Sequence, residues 1–282
     1  MAGERGHMFT VAQISDTHLG AGTALFRHNF TCMAKALNAA PPDLLIATGD
    51  VTLDGADSEA DFAFTADCYA QLPPPVLAVP GNHDVGDHPE RAPRQPVNAE
   101  RIERFRRHMG ADRWALDRAG WRLLGLNTQV MGSGIAEEAT QLEFIAEQLA
   151  TLGDRRLAVF LHKPFFLADP ADPVFDYWSV PPFARAPLAP LFNHPALRLV
   201  ASGHLHLHHV QQRGAATLAW APSVGFIVAP EEQKDVTGER PCGWLLHCFG
   251  EDTVETTLVA PPEMTRPYFH EVRAEAYPNS AL

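Results

Sequence analysis

Leu44-Leu45-Ile46-Ala47-Thr48-Gly49-Asp50 decides the fold. Leu44 to Ala47 reads as a short buried strand, and Gly49 permits the tight turn that sets Asp50 at its end. Thirty-two residues upstream lies His18, in Ile14-Ser15-Asp16-Thr17-His18. Thirty-two residues downstream lies Asn82, in Gly81-Asn82-His83-Asp84. Each interval is about one βαβ step, which brings strand ends to one side of a sheet, where α/β proteins place their sites.

The same alternation runs outward. Phe9 to Ile14 reads as a strand, and Phe26, Phe30, Met33 and Leu37 fit one helix face. Phe62 to Leu72 reads as a helix stopped by Pro73-Pro74-Pro75, and Val76 to Val79 as a strand. Ile102, Phe105 and Met109 mark another helix, and Leu142, Ile145, Leu149 and Leu152 a further one. Trp121 to Leu126, Leu157 to Leu161 and Leu197 to Ala201 read as strands. Beyond His206 the pattern is mostly β: Ala216 to Ala221, Trp244 to Cys248 and Val254 to Val259. The expectation is one domain over residues 1–262, with a long Pro- and aromatic-rich loop over 165–195 and a surface tail over 263–282. Phe175, Tyr177, Trp178 and Phe183 in that loop could stack on a substrate ring; packing the loop onto the core is the expected role.

At 282 residues the chain can bury a sizeable core, and 46% hydrophobic with 20% charged residues is the composition of a soluble globular protein. A formal charge of −12 without a basic stripe argues against duplex nucleic acid as a partner, whose binding rests on neutralising phosphates. A small anionic phosphoester is still admissible, because a metal site can reverse the local field. No apolar run reaches membrane-span length, and the first residues lack the pattern of a signal peptide. Four cysteines with no C-x-x-C spacing read as free thiols, so the expected location is cytoplasmic.

Taken singly, the polar residues at the strand ends have ordinary explanations. Asp16 and His18 could be a turn Asp and an exposed His, Asp50 a helix N-cap, and Gly81 to Asp84 a tight turn. Leu161-His162-Lys163 and Gly203-His204-Leu205-His206 add three imidazoles, with His204 and His206 two apart like Asp16 and His18. Five such segments together point to metal. The candidate ligands are Asp16, His18, Asp50, Asn82, His162, His204 and His206, all offering N or O, which suits Mn²⁺, Fe or Zn²⁺. Asp50 could bridge two cations, one oxygen each. His83 is the natural acid or base beside them, whereas His208 and His209 fit a surface cluster and are left out.

The ordered set D-x-H, G-D, G-N-H-D, H, G-H-x-H resembles the calcineurin-like metallophosphoesterase superfamily over roughly residues 9 to 250. Ile14 to Leu19, Gly81 to Asp84 and the segment Gly134 to Leu149 look like its class III cyclic-nucleotide phosphodiesterases and related glycerophosphodiesterases. That resemblance implies an α/β fold of two packed mixed β-sheets flanked by helices, a four-layer αββα sandwich. It implies one metal on Asp16, His18, Asp50 and His206, and a second on Asp50, Asn82, His162 and His204, with His83 catalytic and, with Asn82, at the substrate. Relatives form homo-oligomers, so self-assembly is open. Two positions depart from the family pattern. Leu53 stands where many relatives place an Asp that orients the catalytic histidine. Lys163 follows His162 where a second His is usual, and would either reach substrate phosphate or point into solvent.

Two carboxylates against two divalent ions leave the site positive by about two charges before hydroxide binds, which suits an anionic phosphoester. The implied activity is hydrolysis of a small phosphodiester by a metal-bridging hydroxide, with His83 assisting the leaving oxygen. A phosphomonoesterase is the alternative, and a non-catalytic interaction module of the same fold a weaker one.

Overall fold

In the computed structural model, residues 8–234 and 236–276 are described. The N-terminal segment 1–7 and the end of the expected tail, 277–282, lie outside them. The strand expected from Phe9 forms as β1 (Phe9–Ile14), followed by α1 (Arg27–Ala39), β2 (Leu44–Thr48), α2 (Glu59–Tyr69), β3 (Val76–Val79) and the short α3 (Asn82–Val85). Then come α4 (Ala99–Met109), β4 (Trp114–Arg118), β5 (Trp121–Leu126), α5 (Ala136–Ala150), β6 (Arg156–Leu161) and α6 (Ala189–Phe192). The chain ends in β7 (Leu197–Ser202), β8 (His209–Arg213), β9 (Ala216–Trp220), β10 (Trp244–Phe249), β11 (Val254–Val259) and α7 (Phe269–Ala276).

Two mixed sheets result. One has the order β11-β10-β1-β2-β3, the other β4-β5-β6-β7-β9-β8. β1, β2 and β3 run parallel, as do β5, β6, β7 and β9, while β10, β11, β4 and β8 pair antiparallel. Side chains alternate across each strand. Phe9, Val11 and Ile46 join Trp121, Phe160, Leu199 and Phe249 in the apolar layer between the sheets. Ala12, Ile14, Leu45 and Ala47 face the other way and pack with Phe30, Met33, Leu37 and Phe62 of α1 and α2. Ile145 of α5 joins Leu157, Val159 and Leu161 of β6 in the same outer cluster. This is the α/β arrangement of two packed sheets flanked by helices.

Several sequence expectations need correction. Phe26 does not lie on the α1 face: it precedes the helix with φ 66° and packs beside Phe226. β4 and β8 were not expected, because both are half-exposed edge strands without an apolar run. A two-residue turn with positive φ at Ala119 and Gly120 joins β4 to β5, the geometry that matches strand twist. Of the expected tail, the described residues 263–276 pack against the body of the domain. Met264 is buried, the Phe269 amide donates to the Ile227 carbonyl at 2.9 Å, and Ala276 closes a cluster with Phe26, Leu53 and Phe226.

Candidate metal centre

The parallel strands β1, β2, β3, β6 and β7 end on one side of the sandwich, and each is followed directly by candidate donors. The loops there are stitched to one another. The Asp16 amide donates to the Gly49 carbonyl at 3.0 Å, His18 to Asp50 at 3.0 Å, and Gly225 to Asp16 at 2.9 Å. Among the described residues seven non-glycines have positive φ, and five of them are candidate donors: Asp16 (55°), His18 (46°), Asp50 (48°), His204 (68°) and His206 (53°). Asp and His tolerate this region better than most residues, yet it costs free energy and persists only where the surroundings impose it.

The donors fall into two groups that share Asp50: Asp16, His18, Asp50 and His206, and Asp50, His162 and His204. Within the first, His206 Nε2 lies 3.2 Å from both Asp16 Oδ1 and His18 Nε2. In the second, His162 Nε2 is 3.3 Å from Asp50 Oδ2 and 3.2 Å from Asn82 Oδ1. Bonds of about 2.0–2.2 Å to one cation would set neighbouring donors roughly 3.0–3.4 Å apart. Asp16 Oδ1 and His18 Nδ1 are buried with no hydrogen-bond partner. These residues fit a metal.

Tautomers follow from the carbonyls, which can only accept. His162 Nδ1 donates to the Thr48 carbonyl at 2.8 Å and His206 Nδ1 to Phe226 at 2.8 Å, so each turns its Nε2 inward. His204 is reversed: its Nε2 donates to the Tyr177 carbonyl at 3.1 Å, which leaves Nδ1. Asn82 Nδ2 donates to the Tyr177 hydroxyl at 3.1 Å, and that fixes its amide with the oxygen toward His162. Asp50 does not present one oxygen to each group. Its Oδ1 accepts the His83 amide at 2.8 Å, while Oδ2 faces His162 at 3.3 Å, His18 at 3.8 Å and His83 Nε2 at 4.0 Å.

Burial opposes a proton on His162, but the facing Asp50 carboxylate outweighs it and pushes the imidazole up to about 9. Asp50, against its own burial, is held well below the usual carboxylate range by His162 and His83. Burial, then the His83 ring, depresses His18, and burial with the Lys163 ammonium depresses His204.

His83 is the part-exposed histidine of the set, its side chain 23% accessible. The missing orienting Asp is replaced by a backbone group: His83 Nδ1 donates to the Leu53 carbonyl at 2.9 Å. Lys163 does neither of the things expected of it. It is buried, with Nζ 2.6 Å from Asp87 Oδ2 and 4.8 Å from the Tyr177 ring centre.

Two further residues support the site in roles the sequence did not assign them. Asp84 accepts from the amides of Val51, Thr52 and Gly81 and from the Thr52 hydroxyl, locking the Asp50 loop to α3. Burial, then the Asp50 charge, pushes it up to about 6. Tyr177 fixes both Asn82 and His204, so its role in the 165–195 loop is at the site and not in core packing. No sequence signal separates Tyr177 from its aromatic neighbours.

Comparison with known proteins identifies the family. The calcineurin-like phosphoesterase family model matches residues 9–208. The 3′,5′-cyclic adenosine monophosphate phosphodiesterase CpdA of Pseudomonas aeruginosa is 31% identical over 236 residues, covering 78% of each chain. A probable glycerophosphodiester phosphodiesterase, GpdQ, of Arcobacter nitrofigilis is 25% identical over 283 residues, covering 93% of this chain and 97% of its own. A dimetal phosphatase from Danio rerio shares the fold at a TM-score of 0.57 and 14% identity, over 90% of this chain and 99% of that one. This chain belongs to the calcineurin-like phosphoesterase family and is an enzyme, a hydrolase of phosphoric esters. Among the described residues no helix is long and apolar enough to cross a membrane.

Proposed function

We propose that the chain is a dinuclear metal-dependent phosphodiesterase acting on a small phosphodiester of the cyclic-nucleotide or glycerophosphodiester type. The observation that carries this reading is the pair of donor groups meeting at Asp50 Oδ2, with His83 beside them and part-exposed. Asp16, His18, Asp50 and His206 would hold one divalent cation, and Asp50, Asn82, His162 and His204 the other. Bound there, the cations would supply Lewis-acid neutralisation of phosphoryl charge and an acidified water.

The chain's own groups do the rest. Leu53 fixes His83 through Nδ1, which turns Nε2 toward Asp50 and the cavity, where it can hand a proton to the leaving oxygen. Tyr177 keeps the Asn82 oxygen inward, and Asp84 prevents the Asp50 and Asn82 loops from drifting apart. The diester preference is supported by the names of the relatives. Manganese-loaded protein should hydrolyse bis(p-nitrophenyl) phosphate faster than p-nitrophenyl phosphate and bind two metals per chain. A strong monoester preference, or one metal at full activity, would overturn the reading.

A further inference from the structure

Both donor groups draw on both sheets. Asp16, His18, Asp50 and Asn82 follow β1, β2 and β3 of one sheet, while His162, His204 and His206 follow β6 and β7 of the other. The spacing of the sheets at this end is therefore built into each group. Much of the layer between the sheets is apolar, and apolar contact has no preferred direction. Gln13 interrupts that layer. It lies on the β1 face that carries Phe9 and Val11, fully buried and nearest the donors. Its Nε2 donates to Thr48 Oγ1 at 3.0 Å and, across to the second sheet, to the Ser202 carbonyl at 3.1 Å. Thr48 and Ser202 each stand two residues before a donor, Asp50 and His204. The Thr48 carbonyl in turn accepts from His162 Nδ1.

His247 of β10 sets which way the Gln13 amide faces. The Ser202 carbonyl can only accept, so Nε2 points there and Oε1 points back, where His247 Nε2 lies 3.0 Å away and must donate. Burial pushes this imidazole down to about 3, so near neutral pH its ring holds one proton and Nδ1 accepts from the Thr256 hydroxyl at 2.9 Å. We infer that Gln13, held by His247, is a positioning residue of the metal centre: its amide fixes the two sheets at the separation that lets His204 and His206 share cations with Asp16, His18 and Asp50. This rests on the dinuclear reading above. Stability alone does not require the network, because replacing both partners of a buried hydrogen bond by apolar groups of like shape is nearly neutral. What the paired amide and imidazole add is direction, since a satisfied buried network specifies one packing.

The test separates stability from metal affinity, read by manganese titration calorimetry on protein stripped of metal. Gln13→Met alone leaves the His247 N–H buried and unpaired; it should lower the urea midpoint and weaken manganese binding about tenfold. Adding His247→Leu removes the stranded partner and should restore the midpoint, while manganese binding stays about tenfold weaker. At saturating manganese the double variant should keep the parent's KM for bis(p-nitrophenyl) phosphate and have a lower kcat. A purely structural role predicts instead that affinity returns with stability. Thr48→Val, which removes the hydroxyl end of the same link, should also weaken manganese binding. Parent-like affinity in the double variant, or in Thr48→Val where the double variant does not fold, overturns the inference and leaves the dinuclear reading standing. A parent protein that takes up fewer than two manganese ions overturns both.

Discussion

Gly81→Ala should empty the metal centre without straining the backbone. Gly81 has φ −104° and ψ −174°, an extended conformation open to any residue, so glycine is required there by space alone. A Cβ would stand 2.1 Å from Asp50 Oδ1, 2.4 Å from the Asp50 amide nitrogen and 2.7 Å from His162 Nε2. Ordinary contact begins near 3.4 Å, so the Asp50 carboxylate or β3 must retreat by about 1 Å. The carboxylate has little room, since Oδ1 is held by the His83 amide at 2.8 Å. Overpacking of this kind costs about 1–3 kcal/mol of stability. The larger effect is on turnover, because a displacement of about 1 Å in a reacting constellation costs on the order of 10²-fold. Elemental analysis, urea unfolding and hydrolysis of bis(p-nitrophenyl) phosphate measure the three consequences. Gly22→Ala is the control, since a Cβ there meets nothing within 4 Å. A Gly81→Ala protein with two metals and turnover within about threefold of the parent would refute the close approach of Gly81 to Asp50.

His247 links stability to pH. It is fully buried between Gln13 and Thr256, and burial pushes it down to about 3 from its ordinary 6.5. Between these values the unfolded chain holds a proton that the native one lacks, so its contribution is complete above pH 6.5 and is lost as pH falls toward 3. The loss is about 1.4 kcal/mol per pH unit, or about 2 kcal/mol between pH 7 and 5. His247→Gln should flatten the pH dependence of the urea midpoint in that range, and an unchanged slope would sink the assignment. His83→Ala keeps its amide bond to Asp50, so both metals should stay while turnover falls ~10²–10⁴-fold; near-normal turnover would remove His83 from the proton transfer. Lys163→Met strands Asp87 as a buried charge and should cost about 3–5 kcal/mol in urea unfolding. Adding Asp87→Asn should recover much of that, whereas an equal loss in the double variant would show that the ion pair is not the cause.

The candidate donors are legible in the sequence because each segment follows a strand whose apolar run marks its end, as Leu44 to Ala47 does for Asp50. Side-chain chemistry and spacing need no knowledge of packing. What escaped is carried by other means. Leu53 acts through a carbonyl that every residue possesses, so its side chain gives no sign of the role. β4 and β8 lie at sheet edges, where one face and one side are solvated and no apolar run is needed. Tyr177 reaches the site from a segment far along the chain, and nothing local distinguishes it. Lys163 looked like a residue for phosphate or solvent because a buried lysine is rare without a partner, and Asp87 lies 76 positions away.

The positive φ angles at Asp16, His18, Asp50, His204 and His206 also restrict what evolution or engineering can substitute there. Glycine, Asn, Asp and His tolerate that backbone region, while β-branched and bulky side chains do not. Exchanging a donor for Thr or Val would therefore be penalised before any metal is considered. The alphabet left open at five positions contains hard oxygen and borderline nitrogen and no favoured sulfur. Backbone conformation thus narrows which side chains these five candidate positions accept, and changing the donor set would begin with rebuilding the loops.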